Sequence, residues 1–198
     1  MLAAAGRNAD PMRLLRSILL ALLATLPQLA TALDLTPVEN WREQEGVRIA
    51  TVIFNDDAGK IRYQPPGDWR LDGSPDRLSL YPPQQGAFMQ MRLFQRRPQQ
   101  AGAAPEDLSK WALIFTPQDA DELALADERP SPFTLSGRPS HEFIYAYNSG
   151  GQRFQTGIAI CDLDERQRLV VIITARQPDF ANVHDTGIAS LFSWSKRK

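Results

Sequence analysis

Cysteine is nearly absent from this sequence: Cys161 is the only one in 198 residues. A single thiol cannot form an internal disulfide, and a zinc site needs several cysteine or histidine ligands at short spacing. The acidic residues that follow, Asp162, Asp164 and Glu165, do not form an EF-hand loop, because the fifth, sixth and twelfth positions lack the required residues. Free cysteine is among the most frequently buried side chains. We therefore predict that Cys161 ends a strand and that the acidic residues form the turn after it.

Histidine is also scarce, with only His141 and His184. A triad of nucleophile, histidine and acid would have to use one of them, and neither lies in a G-x-S-x-G or H-E-x-x-H motif. Asp185 adjoins His184 on a predicted helix and Glu142 adjoins His141 on a predicted strand, where adjacent side chains do not face each other. These patterns favour a non-catalytic protein. The alternative is a hydrolase-type enzyme that uses one histidine with an acid supplied by folding.

The sequence also lacks a glycine-rich phosphate loop, because Gly150-Gly151 lies between predicted strands rather than before a helix. No pattern for a cofactor or a metal ion is present, so we expect neither. The C-terminal SWSKRK carries three basic residues, which is typical of a solvated tail. Contact with acidic lipid or a partner is the alternative for this tail.

A leader pattern occupies residues 1–32. Arg13 and Arg16 precede an apolar run over 18–26, and Ala30-Thr31-Ala32 supplies small residues where a signal peptidase reads them. The apolar run is shorter than the roughly 20 residues that span a bilayer. We therefore predict a signal peptide that is cleaved after about Ala32.

Cleavage would leave residues 33–198 as a single periplasmic or secreted domain, whether translation starts at Met1 or at Met12. The leader contains three arginines and one aspartate, so the mature chain has 19 basic and 22 acidic residues and a net charge of −3. This balance gives no electrostatic reason to expect nucleic acid as a partner. No cysteine lies near the cleavage point for lipid attachment, so we expect no stable membrane anchor after cleavage.

Hydrophobic periodicity predicts an α+β domain with a mainly antiparallel sheet and two helices. One helix starts at Pro105 and the other covers 178–194. Their inward apolar positions are Leu108, Trp111, Ala112 and Phe115 in the first helix, and Phe180, Val183, Ile188, Leu191 and Phe192 in the second. Strands are predicted over 47–54, 59–64, 77–81 and 87–94, with three more between 141 and 175.

A hairpin turn is predicted at residues 148–151, which tolerate positive φ. A two-residue loop would put Tyr145 and other aromatic residues on one face and small residues such as Gly157 and Cys161 on the other; a three-residue loop would reverse the pairing. An aromatic face and a small-residue face suggest a sheet covered on both sides, with a helix packed closely over the small residues. The run LVVIITA (169–175) is apolar on both faces, as in a buried central strand.

A ligand or partner surface is predicted at Trp69, Tyr145 and His141. Trp69 follows the bend in YQPPGDW and could line a surface groove, while Tyr145 belongs to the aromatic face of the hairpin. For Trp69, the pattern favours the alternative of a structural bend with a buried indole.

The segments IRYQPPGDWRL and FANVHDTGIASLFSW resemble the opening and the closing helix of the PsbP-like families. These families include the extrinsic protein of photosystem II, Ran-binding factors of the Mog type and small bacterial envelope proteins. The resemblance covers about residues 47–194. It implies an α/β/α sandwich around a central antiparallel sheet that acts through protein partners. It supplies no catalytic residues, and nothing in the sequence indicates a photosynthetic context.

The sequence as a whole predicts an exported, non-catalytic accessory or binding protein of the envelope of a Gram-negative-type bacterium. Its expected partner is an envelope protein or a small ligand. The alternatives are a periplasmic hydrolase-type enzyme that uses His141 or His184, and a small-ligand-binding protein with an aromatic pocket at Trp69 or Tyr145.

Overall fold

The computed structural model describes residues 33–44, 47–56, 59–96, 107–133 and 139–197. All of them belong to the second of the two units into which the chain divides, Ala32–Lys198. The predicted signal peptide and the predicted helix start at Pro105 lie outside the described residues.

These described residues form eleven strands and two helices. The strands are β1 (Asp34–Gln44), β2 (Val47–Asp56), β3 (Gly59–Tyr63), β4 (Arg70–Ser74), β5 (Arg77–Tyr81), β6 (Phe88–Gln95), β7 (Asp121–Pro130), β8 (Ser140–Ser149), β9 (Gln152–Asp162), β10 (Gln167–Arg176) and β11 (Ser195–Arg197). The helices are α1 (Leu108–Leu113) and α2 (Gln177–Leu191). Asp107 caps α1 by accepting hydrogen bonds from two backbone N–H groups of its first turn. Pro178 lies in the first turn of α2, where its missing N–H costs nothing.

The strands form two sheets in which every pairing is antiparallel. One sheet has the order β1-β2-β3-β11 and the other has the order β4-β5-β6-β10-β9-β8-β7. This confirms the predicted α+β class with mainly antiparallel strands. The finer assignment, an α/β/α sandwich of the PsbP-like type, stays a prediction.

Strand β10 lies at the centre of the larger sheet and is buried from Gln167 to Ala175. The two faces of the sheet belong to separate apolar clusters. Helix α2 packs in the first cluster, which contains Val171 and Ile173, while α1 packs in the second, which contains Val170 and Ile172. Full burial of one such aliphatic side chain contributes about 1.5–3 kcal/mol. The apolar run therefore acts as the predicted central strand.

The hairpin between β8 and β9 has the two-residue loop, one of the two alternatives that the sequence left open. Ser149 pairs with Gln152, and Gly150 and Gly151 between them have φ angles of 57° and 73°. Both angles lie in the left-handed region that glycine adopts without steric cost. The aromatic residues of β8 and the small residues of β9 consequently lie on opposite faces, as the two-residue alternative predicted.

Helix α2 approaches the small-residue face closely. A Cβ atom at Gly157 would lie 3.2 Å from Cδ2 of His184, and a Cβ atom at Gly187 would lie 3.0 Å from Cδ1 of Ile173. Glycine at position 187 costs about 1 kcal/mol of helix propensity relative to alanine. The close approach of helix and sheet explains why the chain uses glycine at both positions.

Two features of the secondary structure differ from the sequence prediction. The predicted inward position of Phe192 is wrong, because α2 ends at Leu191 and the Phe192 side chain is 62% exposed. Strands β1, β4, β7 and β11 have no counterpart in the prediction. All ten residues of β7 are exposed, and its sequence DELALADERP has charged ends around the short run LALA instead of the alternation of apolar and polar residues that identifies a half-buried strand.

Candidate functional site

A groove lies beside the bend that follows β3. It has a volume of about 330 Å³ and is lined by residues 39, 40 and 50–52 of β1 and β2 and by residues 65–67 and 69–71 of the bend and β4. Pro65 and Pro66 lack the N–H groups that a ladder requires, so β3 ends before them. The backbone N–H of Trp69 donates to the carbonyl oxygen of Pro66 at 3.2 Å and closes the bend. We call this feature the Trp69 groove.

Trp69 is a core residue that also lines the groove. Its side chain is 8% exposed. Its ring lies 3.5 Å from the position that a Cβ atom would occupy at Gly187 of α2. The residue therefore holds the bend against the helix, in agreement with the favoured interpretation of a buried indole, and a small part of it is accessible from the groove.

Charged and polar side chains complete the lining. Glu39 and Arg70 are exposed, and among the described residues neither takes part in an ion pair. Asn40 and Thr51 add an amide and a hydroxyl group. The groove thus offers charges of both signs next to an apolar wall. This lining suits a ligand that carries both apolar and charged groups.

Tyr145 and His141 lie elsewhere, on the aromatic face of β8. The Tyr145 side chain is 4% exposed, its hydroxyl donates to the carbonyl oxygen of Ser109 in α1 at 3.4 Å, and burial raises its pKa. His141 is about one-third exposed and its Nε2 lies 3.0 Å from Oε1 of Glu128. The structure therefore does not bring the three predicted site residues together. A ligand surface at Tyr145 and His141 stays a prediction.

A buried ion pair connects β8 to α2. The Glu142 side chain is fully buried, and its Oε1 accepts a hydrogen bond from Nε2 of His184 at 2.7 Å. Its Oε2 accepts a second hydrogen bond from Nε of Arg129 in β7 at 3.0 Å. Nδ1 of His184 lies 3.1 Å from Oδ1 of Asp185. Because both ring nitrogens contact carboxylates, the contacts favour the doubly protonated imidazolium form of His184.

Charge partners outweigh burial at both members of this pair. Burial acts to raise the pKa of Glu142, but hydrogen bonds and charges from His184 and Arg129 hold it below its ordinary value of 4.5. Burial acts to lower the pKa of His184, but Glu142 and Asp185 raise it above its ordinary value of 6.5. The pair is therefore charged under mildly acidic conditions.

This geometry favours a structural role for His184 over general base catalysis. A general base needs a ring nitrogen that can accept a proton from a nucleophile, and both nitrogens here face carboxylates. The predicted separation of His184 and Asp185 is wrong, because the exposed aspartate side chain turns back to Nδ1. The predicted opposite orientation of His141 and Glu142 is confirmed.

The partnership of Glu142 and His184 was missed at the level of sequence. Glu142 has the same strand parity as Ile144 and therefore lies on the small-residue face. A carboxylate on a face that a helix covers needs a polar partner from that helix. The position of Glu142 on the small-residue face was thus the signal in the sequence from which a buried polar contact with α2 could have been predicted.

The region of Cys161 is a buried strand end followed by a polar turn, as predicted. Cys161 is fully buried near the end of β9. Asp162, the last residue of that strand, accepts hydrogen bonds from Nε and Nη2 of Arg168 at 2.7 and 3.4 Å. The buried guanidinium of Arg168 also lies 4.8 Å from the ring centroid of Trp111. Asp164 accepts hydrogen bonds from the backbone N–H groups of residues 166 and 167 and so closes the turn.

Strand β7 is the edge of the larger sheet and is exposed along its whole length. Exposed edges can pair with other chains, and proteins protect them with charged residues and bulges. β7 carries four acidic side chains and two irregularities in its register with β8. These features make β7 a poor acceptor for an added strand.

The described part of the chain shows neither a metal cluster nor a membrane-spanning helix. Within it, no group of three or more histidine, cysteine, aspartate or glutamate side chains is placed to hold a metal ion. None of the helices described is long and apolar enough to cross a membrane.

Comparison with solved structures gives distant similarity, as two examples show. No family model matches the chain, and no curated protein matches it. LpqN of Mycobacterium tuberculosis, a protein involved in cell envelope biogenesis, is 13% identical with a TM-score of 0.48 over 82% of this chain and 92% of that one. PA94 of Pseudomonas aeruginosa, a protein of unknown function, is 11% identical with a TM-score of 0.42 over 81% of this chain and 98% of that one. Similarity at this level supports no argument about function, and it does not confirm the PsbP-like resemblance.

Proposed function

We propose that this chain is an exported, non-catalytic binding protein that serves an envelope protein in an accessory role. The Trp69 groove is the observation that carries the proposal, because it combines an apolar wall with exposed groups of both charges. Binding sites are typically concave, with an apolar wall and a few polar or charged groups. The leader pattern in residues 1–32 supports export to the periplasm or the exterior.

The contacts of the histidines support the non-catalytic part of this proposal. Both ring nitrogens of His184 contact carboxylates, Nε2 that of the buried Glu142 and Nδ1 that of the exposed Asp185. His141 of β8 pairs with Glu128 of the neighbouring strand β7. A hydrolase-type enzyme would need one of these rings to face a nucleophile.

The PsbP-like α/β/α sandwich belongs to the same proposal. Its support is that α2 and α1 pack in the apolar clusters on opposite faces of the larger sheet. An experimental structure that places either helix outside these clusters would contradict this fold assignment.

Affinity capture tests the proposed function. The full chain with a C-terminal tag is expressed in a Gram-negative host, and its N-terminus is determined by mass spectrometry after fractionation. We expect a periplasmic product that starts at Leu33. A cytoplasmic product with an intact leader would contradict export.

The tagged protein is then used to capture partners from an envelope extract, next to two variants. Thr51→Arg places a long cationic side chain in the groove, while Thr36→Arg makes the same change at an exposed position of β1 outside it. We expect the unaltered protein and the Thr36→Arg variant to capture one envelope protein in stoichiometric amount, and the Thr51→Arg variant to lose it. Recovery that is equal for all three proteins would contradict binding in the groove, and a co-purifying small molecule without a protein would favour the small-ligand alternative.

A further inference from the structure

Strand β2 has an open edge along half of its length. β1 pairs with β2 as far as Val47, whereas β3 pairs only with residues 52–56. Among the described strands, residues 47–51 therefore have a neighbour on one side only. Backbone N–H and C=O groups on the open side of such a segment can pair with an added strand.

The Trp69 groove lies next to this open edge. Ala50 and Thr51 of β2 line the groove together with Pro65 and Pro66 of the bend. The prolines have no N–H to donate, so the bend cannot complete the ladder along β2. The residues that end β3 thus leave both an unpaired strand edge and a cavity beside it.

We propose that residues 47–51 of β2 accept an extended peptide segment of the partner protein as an added strand, with side chains of that peptide in the Trp69 groove. This inference rests on the proposed function and specifies its partner. A volume of about 330 Å³ is at the lower end of the roughly 300–1,000 Å³ of pockets that enclose small ligands. In strand addition, main-chain pairing supplies affinity and side-chain pockets supply specificity.

The charges beside the groove indicate the chemistry of the peptide. Glu39 belongs to β1 and Arg70 to the start of β4, and both are exposed. A complementary peptide carries a basic residue for Glu39, an apolar residue or proline for the wall at Trp69, and an acidic residue for Arg70. Charge complementarity of this kind contributes mainly to specificity and association rate.

A peptide selection tests the proposal. The probe is a phage library of random peptides, selected on the full chain as the host produces it. We expect selected peptides to carry an apolar residue with a basic and an acidic residue nearby. Thr51→Arg should raise their Kd at least about tenfold, which corresponds to about 1.4 kcal/mol, and Thr36→Arg should leave it unchanged.

A charge exchange at Arg70 provides a second variant, which reverses one charge of the lining and leaves the apolar wall at Trp69 in place. Arg70 is exposed, and we expect Arg70→Glu to keep the fold while it weakens peptides that carry the acidic residue. Replacing that acidic residue by lysine in the peptide should restore binding to the Arg70→Glu protein. Equal binding of both peptides to both proteins would overturn the proposed contact between Arg70 and an acidic residue of the peptide.

Hydrogen–deuterium exchange separates strand addition from other modes of binding. If the peptide adds a strand, the backbone amides within residues 47–51 that face the open side gain protection, because they then donate hydrogen bonds to the peptide instead of to water. Binding without protection there would overturn the strand addition and leave the proposed function standing. If capture of a partner depends on the groove but the library yields no peptide, strand addition is likewise overturned and the proposed function stands. If neither a peptide nor a partner binds, both proposals fail.

Discussion

Replacement of Glu142 by alanine should destabilise the protein strongly. The substitution removes both hydrogen bonds of a fully buried carboxylate and leaves His184 and Arg129 facing the gap. Breaking a buried ion pair by removing one partner typically costs about 3–5 kcal/mol. For chains of this size each kcal/mol lowers the Tm by roughly 2–4 °C, so we expect a fall of roughly 6–20 °C.

Glu128→Ala is the matched control, because it removes a carboxylate at a similar distance from the exposed His141. Exposed pairs contribute about 0–1 kcal/mol, so the Tm should fall by less than about 4 °C. Thermal unfolding followed by circular dichroism measures both variants. Equal effects of the two substitutions would refute the assignment of the Glu142–His184 pair as a stabilising buried contact.

A double-mutant cycle isolates the contact itself. Glu142→Ala, His184→Ala and the double variant should show a coupling free energy of about 0.5–3 kcal/mol, because the two side chains touch. Additive effects would mean that the 2.7 Å hydrogen bond contributes no pairwise stability.

The same pair predicts how stability depends on pH. The pKa of His184 is raised, so its contribution is complete below its unfolded value of about 6.5 and is lost as the pH rises through the higher folded value. The pKa of Glu142 is lowered, so its contribution is complete above its unfolded value of about 4.5 and is lost as the pH falls through the lower folded value. Arg129 and Asp185 are the other charged groups in contact with the pair. Denaturant unfolding should show the largest difference in the free energy of unfolding between wild type and Glu142→Ala from about pH 4.5 to 6.5. A difference that does not change with pH would contradict the opposite pKa shifts of the two side chains.

Two further predictions concern packing. Gly73→Ala should lower the free energy of unfolding by about 1–3 kcal/mol, because its Cβ would lie 2.4 Å from Cδ of Pro37. Gly67→Ala is the neutral control, because a Cβ at Gly67 would meet nothing within 4 Å. Equal denaturation midpoints of the two variants would contradict the close contact at Gly73. Cys161→Ala should change only stability and leave partner capture intact, and the native thiol should react with a thiol reagent only after unfolding, because Cys161 is fully buried. Loss of capture by a folded Cys161→Ala protein would show that the residue has a functional role.

Local sequence patterns predicted the parts of the fold in which local chemistry determines the structure. Gly150 and Gly151 tolerate positive φ and so predicted the turn, while the choice between a two-residue and a three-residue loop, which sets the faces of β8 and β9, was left open. The run 169–175 is apolar on both faces and is buried on both faces. Cys161 lies at the predicted strand end and Asp164 closes the predicted turn, although Asp162 still belongs to the strand.

Features that depend on distant residues were not predicted. Glu142 and His184 are 42 positions apart and meet only because α2 folds back over β8 and β9. β7 is a strand because β8 offers it a partner, although its own residues show no alternation. The Trp69 groove was only partly foreseen. The prolines predicted the bend, but the open edge of β2 follows from the unequal lengths of β2 and β3, which no local pattern records.

Hydrogen–deuterium exchange of the full chain, with and without the captured envelope protein, most directly tests binding at the groove and the open edge of β2. We expect slower exchange at residues 47–51 of β2 and at residues 64–71 around Trp69, where the groove and the open edge meet. Exchange along β7 should stay unchanged. Protection confined to β7, or absent from residues 47–51 in a saturated complex, would contradict binding by strand addition at β2.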